Sequence, residues 1–140
     1  MGIKIGLKNK PVWVEYAEYD DEGNKIAECQ FLIRGLTTRE NMDFMEKATI
    51  RKKEIVFEKG RKVVREVEKI DNYKYFEMVF SAVCLDWKGI EDADGNALEC
   101  NSENKKRILD ENFDMAVFCV QESQNIMNFL NKKKEKEVKN

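Results

Sequence analysis

The chain has 140 residues, 42% of them hydrophobic, which suits one domain with a core of its own. Charged residues make up 37%, but 25 basic and 27 acidic side chains nearly cancel to a net −2, without the basic excess of a general polyanion binder. Histidine is absent, which removes imidazole acid–base chemistry, His-containing triads and His metal ligands and argues against an enzyme.

The first six residues lack the apolar run of a secretory signal, and Gly6 stands where N-myristoylation needs Ser or Thr. No apolar stretch approaches a membrane span. A soluble, cytoplasmic protein with reduced thiols is expected.

Ordered structure is expected to begin at Pro11, the single proline. Val12 to Tyr19 alternates, with Val12, Val14 and Tyr16 on one face. Asp20-Asp21-Glu22-Gly23-Asn24 reads as a turn. Lys25 to Arg34 alternates again, with Ala27, Cys29, Phe31 and Ile33 inward, which completes a β-hairpin. Thr37 or Thr38 then caps a helix whose Met42, Met45 and Ala48 are spaced for one face.

Lys52 to Glu68 is open to two readings. Ile55-Val56-Phe57 and Val63-Val64 around Glu58-Lys59-Gly60-Arg61 favour a second hairpin, because a helix would have to absorb Gly60 and a β-branched run. Asp71 caps a strongly amphipathic helix with Tyr73, Phe76, Val79, Phe80, Val83 and Cys84 on its stripe, ending near Leu85 to Ile90. A polar loop runs from Glu91 to Cys100. Ser102 caps a short helix, and Asn112 opens the last one, with Phe113, Ala116, Val117, Val120, Met127 and Leu130 as its stripe. The Lys/Glu-rich segment 131–140 reads as a solvated, disordered tail on a single domain spanning 1–130. The expected fold class is α+β, with a small N-terminal antiparallel sheet of hairpins packed against C-terminal amphipathic helices.

Three features invite chemistry. Asp92-Ala93-Asp94-Gly95-Asn96 carries oxygen ligands at alternate positions, as a calcium loop does. The sixth position is Ala97 and the twelfth, Glu103, lies in a capped helix, so a turn accounts for it better. Cys100 precedes a helix start, where a thiolate would be stabilised, but no base accompanies it. Neither it nor the other cysteines, Cys29, Cys84 and Cys119, has zinc-ligand spacing, and Cys29 and Cys119 read as small core hydrophobes. Arg51-Lys52-Lys53, Lys59, Arg61, Lys62 and Arg65 form a basic segment, interleaved with Glu54, Glu58, Glu66 and Glu68. It supports an alternative function, a small nucleic-acid-binding regulatory protein using residues 51–65, while the interleaved carboxylates make nucleic acid the weaker expectation. No catalytic residue, metal ligand or cofactor is expected.

The stretch from Val83 through Trp87-Lys88-Gly89-Ile90 and Asp92-Ala93-Asp94-Gly95-Asn96-Ala97-Leu98, followed by Cys100 to Lys105 and Ile108-Leu109, resembles the tail assembly chaperones of long-tailed bacteriophages. In that group an amphipathic helix ends in a Trp- and Gly-bearing turn, an Asp-Gly loop follows, and a capped helix and a closing helix complete the unit. Arg34-Gly35-Leu36-Thr37 after a strand is similar as well, whereas Cys100 stands where the group usually has Leu or Phe. The resemblance spans mainly residues 73–130.

It implies a non-catalytic, prophage-type chaperone in the cytoplasm of the host cell, absent from the mature virion. The implied partners are the tape-measure protein as client and the tail-tube protein, with a homo-oligomer compatible and no membrane involved. It also implies a programmed frameshift, for which the Lys132-Lys133-Lys134 codons offer an A-rich site. On this reading Trp87 and Ile90 anchor the turn on the core, Gly89 and Gly95 permit its backbone, and Met127, Phe129 and Leu130 are the client contacts.

Overall fold

In the computed structural model, which describes residues 2–130, Val12–Tyr19 (β1) and Lys25–Ile33 (β2) form the antiparallel hairpin that their alternation predicts. The register runs from Val12 opposite Ile33 to Tyr19 opposite Lys25, with a bulge at Glu18/Tyr19. Val12, Cys29, Phe31 and Ile33 are buried on one face, with Val14 and Tyr16 beside them. Ala27, expected inward, is instead exposed, because the helical layer ends at Asn112 and Met115 and leaves an indentation at its rim.

Arg34-Gly35-Leu36-Thr37 staples this hairpin to the helix Thr38–Ala48 (α1). The Thr37 side chain accepts from Glu40 N at 3.2 Å, and the Glu40 carboxylate returns to Thr37 N at 3.3 Å, a full capping box. The same carboxylate takes a two-pronged bond from the Arg34 guanidinium at 2.9 and 2.8 Å. Arg34 above all, then the Thr37 backbone N–H, holds the Glu40 carboxyl down to about 2. On α1 the expected Met42 and Met45 are exposed and only Ala48 of that trio is buried. The inward positions are Asn41, Phe44 and Ala48, since Asn41 is hydrogen-bonded to Tyr75 and Phe44 packs on the core.

Thr49–Glu58 (β3) and Arg61–Ile70 (β4) pair residue for residue as a ten-step hairpin, longer than expected and forming a sheet of their own. Asn72–Val83 (α2) follows, with Asp71 accepting from Lys74 N at 3.1 Å. The chain then goes straight into Cys84–Lys88 (β5), which pairs with β2. This corrects the expectation that Cys84 continues the helical stripe and that residues 85–90 are only a turn. Ile33 pairs with Cys84 and Leu32 with Asp86, so Leu85 is bulged out, and the alternation that would have marked a strand is broken there.

The main sheet has the order β1-β2-β5. The helices Ser102–Glu111 (α3) and Phe113–Gln124 (α4) complete the body. α4 packs on α2 and together they cover one face of the sheet. Phe118 meets Tyr16 at 5.2 Å and Phe31 at 6.5 Å between ring centroids, and Val79, Phe80, Val83, Ala116, Cys119 and Val120 fill the space between the layers. The cap of α3 is Asn101, not Ser102 as expected, because its side chain accepts from Asn104 N at 2.8 Å.

The stripe from Phe113 to Leu130 predicts one last helix that starts at Asn112. It stops at Gln124, and a separate turn, Met127–Leu130 (α5), follows. Asn125 turns extended, and its side chain accepts from Met127 N at 3.1 Å to start the new turn. The result is one α+β domain, a three-stranded sheet under a helical layer with a detached hairpin. Among the described residues no helix is long and apolar enough to cross a membrane. The charged tail at 131–140 lies outside the described residues.

Candidate functional site

Trp87 is buried against Phe31, edge to face at 6.4 Å, and its indole N–H donates to Leu98 O at 2.7 Å. That bond clamps the far end of the 91–100 loop to β5. Leu98 N in turn donates to Ile90 O at 2.9 Å, and Ile90 packs half-buried against the core. Gly89 has φ +81°, and a Cβ there would lie 3.3 Å from Glu28 O, so the turn needs glycine on two counts. Gly95 sits at φ +86° in the loop tip.

The Asp92 loop is a copy of the Asp20 loop. In both, the first Asp accepts from backbone N–H groups two and four residues on, and its own N–H donates to the carbonyl of the closing Asn. Both follow Asp-x-x-Gly-Asn, a repetition that the sequence displays and that the calcium pattern obscures. The bond from Asn96 N leads in holding the Asp92 carboxyl below its usual range. Its oxygens are occupied by the chain itself, which is turn chemistry rather than cation chemistry.

The Cys84 thiol has two thiol neighbours, Cys119 and Cys100. Both hydrogen-bond the Cys84 sulfur, and this with nearby Lys105 pulls Cys84 down. Burial pushes Cys119 up, and pushes Cys100 up to about 11. Cys100 is thus a neutral thiol at pH 7, the reverse of an activated nucleophile. Among the described residues no group of three or more His, Cys, Asp or Glu is arranged to hold a metal ion.

The structure separates the three expected client contacts. Met127 and Leu130 are each 50% exposed, whereas Phe129 is 6% exposed and belongs to the core. Phe129 is therefore unavailable to a partner, because the break at Asn125 swings it onto the body.

Two surfaces escape sequence reasoning. A groove of about 580 Å³ between α1, α2 and α3 has Phe44, Met78, Ala82 and Leu109 on its floor and Lys47 and Lys106 at its edges. It is made by packing of three helices and has no local signature. The other surface is the β3–β4 hairpin, whose pairing was legible but whose detachment was not. Among the described residues its strands pair with each other and with no other strand, so at ~3.4 Å per residue they form an arm ~30 Å long. At its far end Ile55, Val64 and Phe57 share one face and are 67%, 65% and 71% exposed.

Residues 39–140, more than half of the chain, match the family described as YdaY prophage protein. No curated protein matches the chain, and no solved structure does.

Proposed function

We propose that this chain, which belongs to the YdaY prophage protein family, is a non-catalytic tail assembly chaperone that keeps the phage tape-measure protein soluble and helps recruit tail-tube subunits. It acts in the cytoplasm of the host cell and leaves before the virion is complete. The observation that carries this reading is that the residues similar to such chaperones form one continuous unit. Trp87 clamps the loop, the Asp92 turn shapes it, Asn101 caps the next helix, and Ile108 and Leu109 return to the core.

The prophage family supports it, and so does the surface. A long helical client with an apolar stripe needs a charged holder with apolar grooves, and a helix laid in a groove is held by side chains spaced along one face. The groove between α1, α2 and α3, with half-exposed Met127 and Leu130 on α5, supplies such surfaces. Adaptable Met side chains suit a client bound many times over.

Co-expression with the tape-measure protein of the same prophage tests the reading. The client is expected in the soluble fraction, co-eluting with this chain. A client that stays insoluble, or is soluble without this chain, counts against it. Peptide mass spectrometry of the host extract separately tests the longer frameshifted product, expected to share this N-terminus.

A further inference from the structure

The arm and the body carry opposite charge. Residues 49–70 hold eight basic and four acidic side chains, a net +4. The tail at 131–140 holds five Lys and two Glu, a net +3, so with −2 for the whole chain the remaining body carries −9. Within the arm, Arg65 pairs with Glu58, Lys69 with Glu54, and Arg51 with Glu68, and Arg51 also reaches Glu46 of α1 at the base. No ion pair within the described residues engages Lys59, Arg61 or Lys62, and these three ring the tip. Phe57 projects among them, directly opposite Lys62.

The body offers the complement. The indentation at the rim of the main sheet is lined by Tyr16, Cys29, Ile90 and Met115, with Glu18, Glu28 and Glu91 around it. Its volume is about 140 Å³. That is too small for a drug-sized ligand, which needs ~300 Å³ or more, and close to the ~150 Å³ that accepts a single benzene ring.

We infer that the arm tip of one copy docks on a second copy of this chain, with Phe57 seated in the indentation and Arg61 and Lys62 against Glu18 and Glu91. Each strand of the arm pairs only with the other among the described residues, and Arg51–Glu46 ties its base to α1, so the tip is left to meet a second copy. Arm and indentation are different surfaces, and each copy has one of each. Association therefore closes as a reciprocal pair or ring, or continues as a chain. The inference goes beyond the client reading and stands or falls separately. The other polyanion that could meet the tip is duplex DNA, but a body at −9 opposes its approach, whereas the same charge attracts the arm of a neighbour.

Sedimentation velocity on the full chain over a concentration series in low salt tests this. The wild type is expected to associate reversibly, and to weaken at least tenfold in 1 M salt, where the screening length falls to ~3 Å. Phe57→Asp and the pair Arg61→Glu, Lys62→Glu are each expected to weaken association at least tenfold while circular dichroism stays that of the wild type. The chain with Glu18→Lys and Glu91→Lys is expected to be monomeric alone, yet to associate when mixed with the Arg61→Glu, Lys62→Glu chain, because every arm then meets a cleft of opposite charge. A wild type that stays monomeric throughout, oligomers indifferent to these changes, or a mixture that fails to associate overturns the inference. So does an arm whose variants lose binding to a DNA duplex and alter nothing else. Variants that lose association but still hold the client leave the chaperone reading intact.

Discussion

Trp87→Phe isolates what anchors the 91–100 loop. Phenylalanine keeps the edge contact with Phe31 and removes the N–H that donates to Leu98 O at 2.7 Å. An orphaned acceptor in this partly buried setting costs about 1–3 kcal/mol, and the missing part of the ring adds roughly 1 kcal/mol of lost burial. Unfolding in urea should therefore show a loss of roughly 2–4 kcal/mol with an unchanged slope. At ~3–5 °C for each kcal/mol in a chain of this size, the melting temperature should fall with it. The local signature is sharper. Hydrogen exchange should accelerate at Leu98 and Gly95, whose amides donate to Ile90 O and Asp92 O, before it accelerates in α2 or α4. A variant within about 1 kcal/mol of the wild type, with loop exchange unchanged, would refute the claim that the indole bond holds the loop.

Two further outcomes follow from the geometry. The Glu40 carboxyl, held down to about 2 chiefly by Arg34, is lower folded than unfolded. Its contribution is full above the unfolded value near 4.5 and is lost as pH falls toward 2, so Glu40→Gln should be less stable at neutral pH and show a flatter decline between those limits, read by thermal melts across pH. The arm should also be dispensable for folding. Thr49 pairs with Ile70, and Asp71 N donates to Ala48 O at 2.8 Å, so replacing residues 50–69 by an Asn-Gly turn should leave the melting temperature within a few degrees, and loss of cooperative unfolding would contradict the body's independence.

The sequence made the local elements readable where pairing or capping chemistry repeats over several residues. The register of β1 with β2, the β3–β4 hairpin, the Thr37–Glu40 box and the Asp71 cap all lie in that class. What it hid depends on contacts distant in the chain. β5 was invisible because the bulge at Leu85 breaks its alternation, and its pairing partner lies more than fifty residues earlier. The end of α4 was hidden because Met127 and Leu130 continue the spacing of the stripe, while one side chain, Asn125, turns the backbone away and buries Phe129. The exposure of Met42 and Met45 reflects a face chosen by Asn41 and Phe44 against α2, not by hydrophobicity alone. The indole clamp joins Trp87 to a carbonyl eleven residues on, and no residue pattern announces a bond to a backbone atom. Detachment of the arm is likewise a statement about what the hairpin does not touch. Pattern reading fixes which residues pair but not where the pair lies.

The most direct test of the chaperone claim is light scattering from the tape-measure protein of the same prophage as it is diluted from denaturant with increasing amounts of this chain. Scattering is expected to fall steadily and to vanish once many copies are present per client, since a long stripe is covered by weak, repeated contacts. Scattering that rises to the same level at every ratio would contradict it.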